Sequence, residues 1–209
     1  MAWQFDQQVA SNFDSHARQH IPDYDRVLDQ TLSLCRQKLS SESTILEIGC
    51  AVGETVKRLH EQGFEHIHAV DSSADMLAQC PPDAATYYHS VDFPTFDVTF
   101  DAVICNWTLH FIPDKKSYLE KIYQALNPGG LLILSEKTEN YGLALEQYHQ
   151  FKRSQGVSDA EIADKAASLV GVMFVDSAEW YCKTLTEMGF QQVTVFNAAW
   201  CFTSFVAVK

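Results

Sequence analysis

Residues 44–53 constrain this chain more than any other stretch. Thr44-Ile45-Leu46-Glu47-Ile48 is a short, mostly apolar run that ends at Gly49; Cys50-Ala51-Val52-Gly53 follows, and a helical pattern opens at Glu54. Such a run suits a strand buried on both faces of a parallel sheet. Parallel strands need long crossovers, so the segment predicts an α/β fold rather than a bundle or an all-β barrel. Glycine at the bend lets the backbone approach a ligand closely, and the N–H groups of the following helix face it. In open α/β sheets, ligands sit beyond the carboxyl ends of the strands. A tight strand-to-helix turn without a ligand uses the same residues, so this loop alone leaves both readings open.

The alternation continues along the chain. Apolar runs at 66–70, 86–89, 100–105 and 131–135 read as strands, the last entered through Asn127-Pro128-Gly129-Gly130. Helical patterns lie at 54–62, after the Ser72-Ser73 cap, at 117–126 and at 178–188. Two further helices are expected between 141 and 175, the second opened by a Ser158/Glu161 capping box. Residues 192–196 and 202–208 read as strands too close together for a helical crossover, which makes the last strand antiparallel. The prediction is a mostly parallel seven-stranded sheet with an antiparallel last strand and helices on both faces. The 209 residues fit one domain, with residues 1–40 as an N-terminal helical lid and 137–176 as a helical insertion over the pocket.

Composition narrows the partners. The formal charge is −12, and the basic runs are only the pairs Lys57-Arg58, Lys115-Lys116 and Lys152-Arg153. A phosphate backbone repels such a surface, so a small-molecule substrate is expected and direct nucleic-acid binding is not. No apolar run is long enough for a membrane span, and the start, Met1 to Asp6, lacks the basic and apolar regions of a signal peptide; the expected location is the cytoplasm. The six cysteines include no C-x-x-C pair and read as buried free thiols. His66 and His68 alternate on a strand without a third ligand, so no metal site is expected.

Chemistry-bearing residues collect at the predicted strand ends. Asp71 ends the second strand, where a carboxylate can accept both hydroxyls of an adenosine ribose; it could also cap the next helix. Ser72 belongs to the same turn, and Met76 to the short helix after it. Asp92, near the end of the third strand, is read as an acceptor for an adenine amino group, with Phe93 against the ring; an ordinary turn aspartate is the alternative. Asn106 ends the fourth strand and is read as a hydrogen-bonding partner for the polar part of a cofactor or acceptor. Trp107 is core or pocket wall, and His110 is a candidate base, although an isolated histidine is usually structural.

Taken together, Glu47–Gly53, Asp71, Phe100–Asn106 and Leu126-Asn127-Pro128-Gly129-Gly130-Leu131 resemble, in order and spacing, the class I S-adenosylmethionine-dependent methyltransferases. Ala51 stands where that family usually has its central glycine. The resemblance implies a Rossmann-like fold and S-adenosyl-L-methionine held by Glu47, Gly49, Cys50, Gly53, Asp71, Ser72, Met76, Asp92, Phe93 and Asn106, with Tyr24, His110 and Lys137 facing the acceptor. A narrower likeness runs through Phe13, Ile21-Pro22, Tyr24, Thr108-Leu109, Lys121-Ile122-Tyr123, residues 134–137 and 149–153, Val172-Met173, Gly189-Phe190 and residues 206–209, which resemble the carboxy-S-adenosylmethionine synthases. Those enzymes make carboxy-S-adenosyl-L-methionine from S-adenosylmethionine and prephenate for tRNA wobble-uridine modification, and they form homodimers. The arginine with which they grip the extra carboxylate aligns with Ala166 here. Lys165 is adjacent, but successive helix residues point in different directions. The expected activity is therefore ordinary methyl transfer on the same scaffold. Carboxylate transfer using another basic residue and a non-catalytic cofactor-binding role are the alternatives. A nicotinamide-dependent dehydrogenase fits less well, since Gly-x-Gly-x-x-Gly is missing.

Overall fold

The computed structural model describes residues 4–209; the first three residues of the expected lid, and Met1-Ala2-Trp3 of the signal-peptide reading, lie outside the described residues. The strands are β1 (Thr44–Ile48), β2 (His66–Asp71), β3 (Thr86–His89), β4 (Phe100–Asn106), β5 (Leu126–Lys137), β6 (Gln191–Ala199) and β7 (Phe202–Val208). They form one seven-stranded sheet in the order β3-β2-β1-β4-β5-β7-β6. The pairs from β3 to β5 are parallel, and β7 runs antiparallel to both β5 and β6. The short link from β6 to β7 permits only this hairpin-like pairing, as the spacing predicted.

The helices are α1 (Gln7–Ala10), α2 (Phe13–His20), α3 (Tyr24–Lys38), α4 (Glu54–Glu61), α5 (Ala74–Leu77), α6 (Lys115–Ala125), α7 (Leu143–Ser154), α8 (Asp159–Ser168) and α9 (Ala178–Glu187). Successive residues of the central strands face opposite layers, which explains their continuous apolar character. Leu46, Ile48, Val103, Cys105, Leu132 and Leu134 pack with Leu119 and Ile122 of α6 and Tyr181 and Leu185 of α9. Ile45, Ile67, Ala102, Ile104 and Ile133 pack on the other face with Leu32 and Cys35 of α3 and Val56 and Leu59 of α4. The Ser158/Glu161 capping box forms in full.

The turn before β5 differs from expectation. Residues 127–130 are part of the strand, with a register shift between Phe100 and Ala102. They are paired rather than free: the Gly129 N–H donates to the Lys209 carbonyl at 2.8 Å, and the Lys209 N–H donates to Gly130 O at 2.9 Å. The sixth and ninth helices end within a residue or two of expectation, whereas α6 starts earlier, because Asp114 rather than a later residue caps it through the Ser117 N–H.

Candidate active site

Parallel pairing brings the ends of β1, β2 and β4 to one edge of the sheet, so Gly49, Asp71 and Asn106 share it. Gly49 takes φ +71°, and a Cβ there would overlap the Thr108 hydroxyl. Ala51 adopts φ +48°, in the left-handed region that a glycine would reach without strain. Its N–H donates to Asp71 Oδ2 at 2.8 Å, and the Ser73 N–H donates to Asp71 Oδ1 at 2.8 Å. The Asp71 carboxylate is thus locked by backbone and keeps lone pairs for a ligand. Burial raises its pKa, opposed by these backbone bonds.

A cavity of about 410 Å³ lies above this edge. Of the residues singled out from sequence, Tyr24, Glu47, Gly49, Cys50, Asp71, Ser72, Met76, Asn106, His110 and Lys137 line it. Gly53, Asp92 and Phe93 do not. Gly53 is the N-cap of α4 at φ +80°, packed beneath Cys80. Asp92 is exposed, and Phe93 turns into the core against Phe96 and Tyr118, where an aromatic ring gains more from burial than at the cavity rim. Ser90 and Val91 take their place at the wall.

Buried polar atoms mark where a ligand would be met. Both amide atoms of Asn106, and Glu47 Oε2, are buried without a hydrogen-bond partner. Such groups are costly unless something satisfies them. Burial pushes the Glu47 carboxyl up to about 8. Glycine bend, ribose-type acid and unsatisfied amide fit the adenosyl and amino-acid ends of S-adenosylmethionine.

The other end of the cavity is aromatic and basic. Trp107, at φ +57°, stacks on Tyr24 with centroids 4.9 Å apart. Burial pushes the Tyr24 phenol upward, so it stays neutral. Behind the wall, Glu136 is fully buried and gathers the loop after β4. It accepts from the backbone N–H groups of Thr108, Leu109 and His110 at 3.2, 2.8 and 2.9 Å, and lies 2.6 Å from His110 Nδ1. That contact fixes the orientation of the ring and turns Nε2 away from Glu136. Sequence reading treated Glu136 only as part of a family pattern; no local signal distinguishes it from an exposed acid at a strand end.

Lysines complete the wall: Lys137 was a candidate from the sequence, and Lys152 was missed. Lys152 places its Nζ 4.3 Å from the Tyr148 ring centroid, and Lys137 places its own 5.3 Å away. Lys165 lines the cavity beside Ala166, so the two neighbours both reach it, contrary to the expectation that only one would. Among the described residues no carboxylate pairs with Lys137 or Lys152. Burial and mutual repulsion hold Lys152 down to about 8 and Lys165 to about 6; burial lowers Lys137 too. His16 and His20 stack at 4.0 Å on the same wall, and burial lowers them to about 3 and about 4. Among the described residues, no group of three or more His, Cys, Asp or Glu is arranged to hold a metal, and no helix is long and apolar enough to cross a membrane.

Comparison with known proteins agrees with this geometry. Residues 15–195 match the model of the methyltransferase domain family. The chain is 33% identical to the carboxy-S-adenosyl-L-methionine synthase of Pasteurella multocida (strain Pm70), over 98% of this chain and 92% of the relative. It is 32% identical to the enzyme of that name from Shewanella frigidimarina (strain NCIMB 400), over 99% and 93%. Phosphoethanolamine N-methyltransferase 2 of Haemonchus contortus, solved with S-adenosyl-L-methionine, superposes with a TM-score of 0.71 at 15% identity, covering 100% of this chain and 60% of that one. A possible histamine N-methyltransferase from Thermotoga maritima gives 0.70 at 17% identity, covering 99% of each. The chain is a member of the methyltransferase domain family, with the class I fold, and of the lineage within it that contains the carboxy-S-adenosyl-L-methionine synthases.

Proposed function

We propose that this protein binds S-adenosyl-L-methionine and transfers its methyl group to an anionic small molecule with an apolar or aromatic body. One observation carries the reading: a single cavity joins the Gly49–Asp71–Asn106 cradle to a wall of Trp107, Tyr148, Lys137, Lys152 and Lys165. Buried lysines that repel one another are stabilised by a negative charge between them, and charge-assisted bonds to a carboxylate are among the strongest available.

The bound cofactor supplies an electrophilic methyl on a sulfonium, already activated for in-line displacement. The protein's contribution is position and dryness. Asp71 holds the ribose hydroxyls, and Gly49 lets the backbone come close. Asn106 and Glu47 meet the amino-acid end, while Cys50, Ser72 and Met76 line the adenosyl end. Trp107 and Tyr24 close the wall against water. His110, its ring fixed by Glu136, accepts a proton at Nε2 if the acceptor must lose one. Lys137 faces the acceptor's anionic group. Residues 4–40 act as the helical lid and 137–176 as the insertion over the pocket: Tyr148 Oη donates to His20 O at 2.9 Å, which ties the two together. Ser73 Oγ donates to Phe5 O at 2.5 Å, fastening the start of the lid over the cofactor end.

Titration calorimetry with S-adenosyl-L-methionine tests the cofactor: Asp71→Ala should weaken uptake at least a hundredfold, since charge-assisted bonds are worth about 1.5–3 kcal/mol each. A methyl-transfer screen of paired acids and their neutral amides tests the acceptor. Acids should be preferred, and Lys152→Ala should raise KM for them while cofactor affinity holds. Equal use of the amides would refute the anionic acceptor.

A second reading is favoured by the full-length relatives named carboxy-S-adenosyl-L-methionine synthase. In it, Lys165 takes over the grip that Ala166 cannot supply, and the product is carboxy-S-adenosyl-L-methionine. Mass spectrometry of the co-purifying nucleoside separates the two, because the carboxylated form is heavier by one carbon dioxide. Exposed Tyr141, Leu143 and Val170, on segments brought together by the Thr138–Asp176 bridge, support a homodimer, which light scattering would test. The acidic surface argues against direct nucleic-acid contact, and the free cysteines fit the reducing cytoplasm.

A further inference from the structure

Two sulfurs flank the cofactor loop: Cys50 lines the cavity, and Cys80 has no part in the chemistry above. Cys50 follows Gly49, and Cys80 lies just beyond α5. Both are buried and free. Their thiols converge on one acceptor: the Ala51 carbonyl oxygen is 3.2 Å from Cys80 Sγ and 4.0 Å from Cys50 Sγ. Ala51 is also the residue whose N–H holds Asp71 at 2.8 Å. The loop has little slack on this side, since a Cβ on Gly53 would stand 3.1 Å from Cys80 Sγ. The two thiols therefore bracket the peptide that positions the ribose-binding acid.

We propose that Cys50 and Cys80 form a reversible disulfide when exposed to a hydroperoxide, and that this bond lowers affinity for the adenosyl cofactor. The proposal rests on the assignment of the cavity to S-adenosyl-L-methionine. The Cys80 sulfur attacks one peroxide oxygen; the O–O bond breaks and the second oxygen leaves as water after taking up the thiol proton. The Cys50 sulfur then attacks the Cys80 sulfenic sulfur; the S–O bond breaks, and the hydroxyl leaves with the Cys50 proton as water. The protein loses two hydrogens, and the peroxide is reduced to two waters, or to water and an alcohol. The hydrogen bond from Cys50 lowers the Cys80 thiol from its ordinary value, which suits Cys80 to the first attack. Cys50 lines the cavity and Cys80 lies behind it, so bound cofactor covers the Cys50 side of the pair.

Bond formation must bring the sulfurs to about 2.05 Å of one another, and it removes both S–H donors from the Ala51 carbonyl. The displacement passes directly to the Ala51 N–H and so to Asp71. Thioredoxin-like or small-molecule thiols would reverse it by exchange.

The test treats the full chain with hydrogen peroxide, with and without S-adenosyl-L-methionine. Peptide mapping should find Cys50 joined to Cys80 in the cofactor-free sample and protected in the other. Calorimetry should show cofactor affinity at least tenfold weaker after oxidation, restored by dithiothreitol. In Cys80→Ala, peroxide should leave affinity where it was before treatment. The proposal is overturned if Cys182, which is more exposed, oxidises while no Cys50–Cys80 peptide appears. It is also overturned if the linked protein binds as tightly as the reduced one, or if Cys80→Ala loses affinity on oxidation as the wild type does. Failure of the cofactor assignment looks different, since the reduced protein would then take up no S-adenosyl-L-methionine at all.

Discussion

Replacing Gly49 with alanine puts a methyl group where Thr108 already stands. The new Cβ would overlap Thr108 Oγ1 and lie 2.8 Å from Cγ2 and 2.9 Å from Cβ. Thr108 is held in place, because its hydroxyl lies 3.2 Å from Ile48 O and 3.1 Å from Asn106 O. The substitution therefore carries two costs: alanine in the left-handed region, about 1–2 kcal/mol, and overpacking against a fixed side chain, about 1–3 kcal/mol. Gly49→Ala should lower unfolding stability by about 2–5 kcal/mol in urea titrations. Thr108→Ala alone gives up hydrogen bonds worth about 1 kcal/mol. In the double variant the Oγ1 and Cγ2 clashes vanish while the Cβ contact and the backbone cost stay. A double-mutant cycle should return a favourable coupling of about 1–2 kcal/mol. A coupling within about 0.5 kcal/mol of zero would refute the close approach of these two residues.

Three further outcomes follow from the buried charges. Glu136→Gln places an NH2 group among backbone donors and should cost about 1–3 kcal/mol of stability, read by the same urea titration, because a donor is left facing donors. Burial raises the Glu47 carboxyl from 4.5 to about 8 in the fold, so the cofactor-free protein should be most stable below pH 4.5 with respect to this group and lose that share as pH rises through about 8; Glu47→Gln should flatten the Tm profile across this window. Lys165 and Lys152 are held down to about 6 and about 8, and an anion favours their charged forms. Affinity for an anionic acceptor should therefore be highest below pH 6 and fall as pH rises from there past 8, a slope that Lys165→Met should reduce in calorimetry.

The sheet was legible because its signals are local. In β1, the apolar run and the glycine that stops it define both ends, and the Asp71 turn does the same for β2. Residues 127–130 read as the entry to the fifth strand rather than as part of it, because their partner is Lys209 at the far end of the chain, which no local pattern reveals. The cofactor end of the site was legible for the same reason as the sheet: Gly49, Asp71 and Asn106 are strand-end residues, and parallel register does the assembly. Asp92 and Phe93 fall outside the cavity lining because β3 is a short edge strand, and the core beneath it captured the ring. The lysine wall beyond Lys137 was out of reach. Lys152 and Lys165 come from different helices, and only the packing of α7 on α8 turns them toward Lys137 on β5.

A chain of net charge −12 that lines its cavity with Lys137, Lys152 and Lys165 raises a kinetic question. An anionic acceptor approaching from solvent meets the acidic exterior before it meets Lys152 or Lys165. At 0.15 M salt the exterior field decays over about 8 Å, whereas charges inside an aromatic-walled cavity are screened far less. Capture and approach are thus governed by opposite signs. The association rate should rise with added salt from a low starting value, because repulsion is lifted first, while the dissociation rate changes little. Stopped-flow mixing with the acceptor identified by the acid–amide screen, from 10 mM to 300 mM salt, reads both rates. A rate that falls steeply with salt would mean that a basic funnel leads the ligand in, and the lysines would then act at the entrance rather than at the end of the cavity.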